Sequence, residues 1–302
     1  MWYKLGDVLG QGGFGITYLA EDSNLKRPVA IKEFLPTEVV GRADDGTVEP
    51  LSEEAGELYR WCFDRFAIEA QTLARFRHPN IVQVLSVFQA NATAYMVMEY
   101  VEGLTFDQAL AANKFTTESA LLNVTLQMLD GLEMVHQEGF IHRDLKPANI
   151  LIREDDTPLL LDFGSARFAM GAETRTLTAM VSPGYAPIEQ YGGGSADKEN
   201  KQGPWTDLYG LGATLYRAVS GRGPVDAAIR VNGFLAGSDV LESAASAGKG
   251  RFSDSFLQAI DAAIAIRPMD RPQTVAQWRE MLLRGAPMAS KIPPSPSPAH
   301  PS

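Results

Sequence analysis

Two short runs in the middle of the chain concentrate the side chains that could do chemistry. They read His142-Arg143-Asp144-Leu145-Lys146-Pro147-Ala148-Asn149 and Leu161-Asp162-Phe163-Gly164. Asp162 and Asn149 offer hard oxygen ligands of the kind that Mg²⁺ takes. Asp144 adds a carboxylate that could accept a proton, and Lys146 adds a cation two residues further on. A lone Asp before Phe-Gly is more often a turn residue, so the rest of the chain must support this interpretation.

A glycine-rich run lies near the N-terminus, where residues 10–15 read Gly-Gln-Gly-Gly-Phe-Gly. Glycines let backbone N–H groups approach phosphate oxygens without a side-chain collision. A dinucleotide-binding fold would need a helix directly after this pattern, whereas residues 17–20 and 28–32 are predicted as strands. The glycines are therefore placed in a strand-turn-strand. This favours a flap folded over a nucleotide, and a plain hairpin turn is the alternative.

The elements that must position these groups begin with the strand 28–32. Its alternation puts Ala30 and Lys32 on one face. A small residue beside an inward lysine leaves room for a flat ligand and supplies a charge to hold it. A surface lysine that keeps its charged end in water is the usual alternative for such a residue.

A long helix is predicted to begin after Ser52, a suitable N-cap that is followed by Glu53 and Glu54. Its apolar face consists of Leu58, Cys62, Phe66, Leu73 and Phe76. Glu69 shares that inward face, and a buried carboxylate is costly unless a cation meets it. Lys32 is the cation that the preceding strand offers.

Composition limits the classes of protein to which the chain could belong. The 302 residues carry a formal net charge of -10, which argues against binding to nucleic acid. The one cysteine, Cys62, permits no intrachain disulfide and suits a reducing cytosol. We find no stretch of about 18 apolar residues that could span a membrane and no secretory signal. Residues 285–302 are rich in proline and are predicted to be a disordered tail or linker.

The order and spacing of these motifs resemble the signature set of eukaryotic-type (Hanks-type) Ser/Thr protein kinases, and several stretches resemble the bacterial members. The resemblance covers residues 3 to 284. It implies an α+β, two-lobed fold within a kinase domain of residues 1–284. The N-lobe, about 1–98, would be sheet-rich with one regulatory helix, the hinge would be 99–103, and the C-lobe, 104–284, would be mainly helical.

The resemblance also implies catalytic roles. Asp144 would accept the proton of the substrate hydroxyl, or orient that hydroxyl, and Lys146 would reach the transferred phosphoryl group. Lys32 would grip the α- and β-phosphates of ATP with Glu69 as its ion-pair partner. Asn149 and Asp162 would hold Mg²⁺, and the same oxygen donors admit Mn²⁺.

The nucleotide site that the resemblance implies is formed by Leu9, Gly10, Gly12, Gly15, Thr17, Ala30, Lys32, Glu69, Met98, Glu99, Val101 and Leu151. Backbone groups of Glu99 and Val101 would bond the adenine edge, and Met98 would be the gatekeeper. Ala30 and Leu151 would sandwich the ring. The family usually has valine at the position of Thr17, whose methyl group can still cover adenine.

Other residues receive structural or regulatory roles from the resemblance. Glu189 is expected to pair with Arg271, and Asp207 to brace the catalytic-loop backbone. Ser182 would contact the catalytic Asp and Lys, and His142 would serve in packing. Arg143 would pair with a phosphorylated activation segment, for which the candidate hydroxyls are Thr174, Thr176 and Thr178.

The resemblance predicts a cytoplasmic, non-specific Ser/Thr protein kinase that transfers the γ-phosphoryl of Mg-ATP to protein hydroxyls. Autophosphorylation would require self-association, and the chain could be the cytoplasmic part of a longer membrane-anchored protein. A pseudokinase scaffold and a small-molecule phosphotransferase are the alternatives. The acidic stretch 41–60, with a net charge of -4, is interpreted as a solvated loop or as a partner-binding element.

Overall fold

The structure is a computed structural model that describes residues 2–163, 181–191 and 202–284. Its strands are β1 (Tyr3–Gly12), β2 (Gly15–Asp22), β3 (Arg27–Phe34), β4 (Val40–Arg42), β5 (Val48–Pro50), β6 (Val84–Ala90), β7 (Thr93–Glu99), β8 (Leu104–Thr105), β9 (Ile150–Ile152) and β10 (Pro158–Leu160). Its helices are α1 (Glu53–Leu73), α2 (Phe106–Ala111), α3 (Glu118–Gln137), α4 (Pro204–Ser220), α5 (Ala227–Leu235), α6 (Ala244–Ala247), α7 (Asp254–Ala263) and α8 (Val275–Leu283).

The N-terminal lobe is built on a five-stranded antiparallel sheet in the order β1-β2-β3-β7-β6. Along β3, Ala30 and Phe34 pack in the cluster that contains α1, whereas Val29 and Ile31 belong to a separate cluster. This follows from the two-residue period of a strand. It puts Lys32 on the α1 side of the sheet, as the alternation in the sequence predicts.

Helix α1 begins where its capping residues predict. Ser52 is the N-cap, and its hydroxyl oxygen accepts a hydrogen bond from the backbone N–H of Ala55 at 3.1 Å. Glu53 and Glu54 lie in the first turn, where their charge is favourable to the helix dipole. The predicted start of the helix is confirmed.

The inward face of α1 packs on the sheet through aromatic rings. Phe34 of β3 stacks on Phe66 of the helix with 5.1 Å between ring centroids. The helix ends at Leu73, so the prediction that Phe76 continues its apolar face was wrong. Phe76 is buried past the helix end and packs edge-on against Phe140, because a turn of two residues, Ala74 and Arg75, separates it from the helix.

The acidic stretch 41–60 keeps its six acidic residues exposed, as the solvated alternative predicts, but it is not a loop throughout. β4 and β5 form a short antiparallel hairpin in which Val40 lies opposite Pro50 and Arg42 opposite Val48. Val40 and Val48 are buried in the same cluster as α1. Strands of three residues are too short to show a period in the sequence, which is why the hairpin was missed.

The C-terminal lobe has α4 at its centre, with apolar residues buried around most of its surface. A helix that is apolar on nearly all sides belongs in a core, and α7 and α8 pack around it. The indole of Trp278 on α8 is fully buried and donates its N–H to the Ala259 carbonyl at 2.8 Å. Within the described ranges, no helix is long and apolar enough to cross a membrane.

The lobes are joined by backbone pairing as well as by the hinge. The Val82 N–H donates to the Leu160 carbonyl at 3.0 Å, and the Leu160 N–H donates to the Asn80 carbonyl at 2.8 Å. Just past the hinge, β8, β9 and β10 form a three-stranded sheet. Leu151 on β9 is therefore held directly beside the segment that links the lobes.

The turn between β6 and β7 provides a test of backbone strain. Asn91 and Ala92 have φ of 49° and 56°, the left-handed geometry of a type I′ turn, which prefers glycine second. We expect Ala92→Gly to raise the free energy of unfolding in urea by about 0.5–1 kcal/mol. The control is Ala112→Gly at φ −80°, which should lower it. Loss of stability in both variants would contradict the expectation.

Candidate active site

The cleft between the lobes contains two adjoining cavities. One, of about 340 Å³, lies beside the hinge, and among its lining residues are Leu9, Ala30, Met98, Glu99, Val101 and Leu151. The other, of about 430 Å³, lies beneath the glycine turn, and among its lining residues are Gly12, Gly15, Lys32, Glu69, Asp144, Lys146 and Asn149. Gly10, Thr17 and Asp162 line both cavities. Every residue predicted for the site therefore lies in one continuous cleft.

The roof of the cleft is the turn that joins β1 to β2. Gly12 and Gly15 are paired across this turn. A Cβ on Gly15 would lie 2.0 Å from the Glu33 carbonyl oxygen, so only glycine lets β2 approach β3 this closely. The turn is also anchored from below, because the Leu35 N–H donates to the Phe14 carbonyl at 3.0 Å.

Asp144 lies at the centre of a group of hydrogen-bonded side chains. Lys146 Nζ donates to Asp144 Oδ2 at 3.0 Å, and the Ser182 hydroxyl donates to Asp144 Oδ1 at 2.8 Å. Lys146 Nζ also lies 3.0 Å from Ser182 Oγ, so Ser182 contacts both residues as predicted. Asn149 Nδ2 donates to Asp144 Oδ2 at 2.8 Å. These donors fix the orientation of the carboxylate.

Lys32 pairs with a different carboxylate from the one predicted. Its Nζ lies 3.0 Å from Asp162 Oδ1, and no ion pair within 4.0 Å joins it to Glu69 among the described residues. Burial alone would lower the pKa of Lys32, but Asp162 and then Glu69 more than offset this, and the pKa is raised. Both carboxylates act on the Lys32 ammonium. The sequence alone could not show which of the two would lie nearer to it.

Asn149 and Asp162 supply the kind of oxygen that a divalent cation needs. Both line the cavity beneath the glycine turn. The Asn149 side-chain nitrogen donates to the Asp144 carbonyl and carboxylate oxygens. The side-chain carbonyl oxygen of Asn149 therefore points away from Asp144. One or two such ligands together with phosphate oxygens make up a common Mg²⁺ site. The donor set fits this metal.

The loop that carries Asp144 is braced from below by Asp207 of α4. Asp207 Oδ2 accepts from the backbone N–H of His142 and Oδ1 from that of Arg143, each at 2.8 Å. His136 Nε2 lies 2.7 Å from Oδ2. Burial alone would raise the pKa of Asp207, but these partners hold the pKa below its usual value. The brace predicted for Asp207 is present.

His142 connects this loop to the one that carries Asp162. Its ring is fully buried, and its Nε2 lies 2.7 Å from the Leu161 carbonyl oxygen. It stacks on Phe163 with 4.3 Å between centroids. Burial lowers the pKa of His142, so the ring is neutral and serves in packing.

Glu189 and Arg271 form the buried ion pair that the sequence predicts. Arg271 Nη1 lies 2.7 Å from Glu189 Oε1 and Nη2 lies 3.2 Å from Oε2. The Thr206 hydroxyl also donates to Glu189 Oε1, at 3.0 Å. This pair attaches the end of the segment that contains Ser182 to the body of the C-lobe.

Some cleft residues were not predicted as site residues, although Tyr100 and Gly103 among them lie in the predicted hinge, 99–103. Val82, Tyr100 and Gly103 line the cavity beside the hinge. A Cβ on Gly103 would lie 2.5 Å from the Ile152 carbonyl oxygen, so glycine is needed where the hinge meets β9. The turn-like Glu102-Gly103 pair could have revealed Gly103, but no local pattern marks Val82. The predictions for Thr174, Thr176, Thr178 and the tail 285–302 lie outside the described residues.

Comparison with known proteins defines the class. Residues 3–282 match the Protein kinase domain family, and the chain belongs to that family. Its two-lobed fold is confirmed by the solved structure of PpkA-294 in its apo form, which superposes with a TM-score of 0.81 at 35% identity over 93% of this chain and 96% of that one. Rad53 1-466 in complex with AMP-PNP shares the fold, with a TM-score of 0.63 at 21% identity.

The predicted similarity to bacterial Hanks-type kinases is also confirmed. Serine/threonine-protein kinase C of Synechocystis is 31% identical over 280 residues, 89% of this chain and 47% of that protein. PknB of Mycobacterium tuberculosis is 34% identical over 291 residues, 93% of this chain and 42% of PknB. PrkC of Bacillus subtilis is 36% identical over 226 residues. This chain therefore spans less than half the length of these relatives.

Proposed function

We propose that this protein is a non-specific Ser/Thr protein kinase that transfers the γ-phosphoryl group of Mg-ATP to protein hydroxyls. The observation that carries the proposal is one cavity lined by Lys32, Asp144, Asn149 and Asp162. That cavity continues into an apolar one beside the hinge, where a flat base could lie. Relatives named as Ser/Thr kinases, at 31–36% identity, support the same activity.

In this proposal the described side chains have separate roles. Asp144 orients the attacking hydroxyl and takes up its proton, and Lys146 offers its ammonium to the phosphoryl group in transfer. Lys32, kept charged by Asp162 and Glu69, grips the phosphates. Bound Mg²⁺, held by Asn149 and Asp162, would neutralise charge on the phosphate oxygens.

The hinge groups available to adenine follow from backbone bonding. The Glu99 N–H already donates to the Gln83 carbonyl at 3.0 Å. The adenine edge is therefore assigned to the Glu99 carbonyl and to the backbone of Val101. Ala30 and Leu151 line the same cavity and would enclose the ring. Use of ATP supports a cytoplasmic location for this domain.

Removal of metal tests the proposal. With radiolabelled ATP and a general protein acceptor, we expect transfer in Mg²⁺, loss of transfer after chelation, and recovery when Mg²⁺ or Mn²⁺ is restored. Without a metal ion, the oxygens of Asn149 and Asp162 would face the phosphate oxygens with no cation between them. Transfer to small alcohols instead of protein would indicate a small-molecule phosphotransferase. No transfer in any metal, with nucleotide still bound in calorimetry, would indicate a pseudokinase. Labelled Thr174, Thr176 or Thr178 would indicate autophosphorylation.

A further inference from the structure

Glu33 follows Lys32 on β3 and lies on the opposite face of the sheet. Its side chain is only 2% exposed, and a buried carboxylate needs donors. Tyr95 donates to Oε1 at 2.7 Å, Tyr18 to Oε2 at 3.1 Å and Arg42 Nη2 to Oε2 at 2.6 Å. Burial and the bond to Glu33 raise the pKa of Tyr95 to about 12, so its hydroxyl remains a donor near neutral pH.

Unlike the two tyrosines, Arg42 comes from outside the five-stranded sheet. It belongs to β4 of the inserted hairpin, which consists of β4 and β5 (residues 40–50) and lies between β3 and α1. The Arg42 Nη1 donates to the Gly46 carbonyl at 3.1 Å. One guanidinium thus bonds the hairpin turn with one nitrogen and Glu33 with another. The planar, two-pronged donor set of arginine suits this double contact better than the point charge of lysine.

The same hairpin packs on the first half of α1. Val40 and Val48 are buried in one cluster with Tyr59 of the helix. The Val48 N–H donates to the Asn91 carbonyl at 2.9 Å, and the Tyr59 hydroxyl donates to the Ala92 carbonyl at 2.9 Å. The hairpin, α1 and the turn between β6 and β7 are therefore one connected unit, and Arg42 joins that unit to β3.

We propose that Arg42 and Glu33 are positioning residues, whose ion pair sets where the inserted hairpin and α1 lie relative to β3. The inference rests on the proposed kinase function. α1 carries Glu69 and β3 carries Lys32, and both line the cavity beneath the glycine turn. Neither Arg42 nor Glu33 lines that cavity, so both act through the elements that they join.

The ion pair also explains why a basic residue stands at position 42 of the acidic stretch 41–60. The stretch 41–60 contains two basic residues, Arg42 and Arg60, among six acidic ones. Arg60 is exposed on α1, whereas Arg42 reaches a buried carboxylate. A basic residue is therefore needed at 42 for a structural contact, and Arg60 provides a matched residue of the same charge without that contact.

The expected result is a loss of turnover that is larger than the loss of nucleotide binding. We expect Arg42→Gln and Glu33→Gln each to lower kcat about tenfold while KM for ATP stays within about twofold. The hinge and Lys32 would still bind the nucleotide, but α1 with Glu69 would no longer be held in place relative to β3 with Lys32. The double variant should be no worse than either single variant, since both remove one interaction. Amide hydrogen exchange should quicken in residues 53–66 and stay unchanged in α4.

Two further variants separate positioning from general damage. Arg60→Gln removes the same charge from the same stretch and should keep the wild-type kcat, and Arg42→Lys should recover part of the activity. Wild-type kcat in Arg42→Gln and Glu33→Gln, additive losses in the double variant, or an equal loss in Arg60→Gln would overturn the inference. Absence of transfer in the wild type would instead contradict the proposed function.

Discussion

Replacement of Asp144 by Asn is expected to lower kcat for phosphoryl transfer by roughly 10²–10⁴-fold, the usual contribution of a positioned general base. The amide has nearly the same shape, but it cannot take up a proton. Its NH₂ group would also face the donors that now point at the carboxylate. Lys146 Nζ and Asn149 Nδ2 lie 3.0 Å and 2.8 Å from Asp144 Oδ2. Both contacts survive only if the amide oxygen takes the Oδ2 position, and the NH₂ group then faces Lys146 Nζ, which lies 3.3 Å from Oδ1.

Binding of Mg-ATP separates this effect from a general loss of structure. Lys32, Asn149 and Asp162 are unchanged in the variant, so calorimetry should give a nucleotide Kd close to that of the wild type. Asp155→Asn, on the exposed turn before β10, is the matched control and should keep full activity. A loss of less than about tenfold in the Asp144 variant would show that a proton acceptor is not needed at this position.

Replacement of Arg271 by Met is expected to lower the free energy of unfolding by about 3–5 kcal/mol, the range for removal of one partner of a buried ion pair. Both side chains of the pair with Glu189 are 0% exposed. Without Arg271, the Glu189 carboxylate would remain buried with the Thr206 hydroxyl as its remaining donor among the contacts described above. Urea unfolding followed by tryptophan fluorescence would measure the loss.

Substitution of the other member of the pair, Glu189, should lower the free energy of unfolding by less. In Glu189→Gln the amide oxygen can still accept from Arg271 and Thr206, and Arg271 keeps its bonds to the carbonyls of Ala265 and Ile266. Arg267→Met removes an exposed ion pair with Asp270 and should change stability little, so it serves as the control. Equal costs for Arg271→Met and Arg267→Met would contradict the prediction.

Secondary structure was predictable from the sequence where neighbouring residues alone determine where an element begins or which face it buries. Ser52 with two following glutamates predicts the start of α1, and alternation along β3 predicts the inward face of Lys32. The end of α1 was not predictable, because Phe76 continues the apolar pattern beyond the helix. The hairpin of β4 and β5 was missed for a related reason, since its burial depends on contacts with α1 that three-residue strands cannot signal.

The sequence predicted which residues lie in the site, but it predicted only some of the contacts between them. Motif order placed Asp144, Asn149 and Asp162 in one cleft, because each stands at a fixed offset within a short run. The partner of Lys32 was not fixed in this way. Asp162 and Glu69 come from distant parts of the chain, and their separations from one ammonium depend on how the two lobes meet.

Asp207 holds the catalytic loop by main-chain N–H groups, which every residue type except proline presents. The two bonds to Asp207 therefore do not depend on the side chain at position 143, although the left-handed φ of 70° at that position disfavours β-branched residues. The Arg143 side chain makes separate contacts, among them the bond that its Nε donates to Gln202 Oε1 at 3.1 Å. One residue thus supports the loop through its main chain and contacts another part of the C-lobe through its side chain.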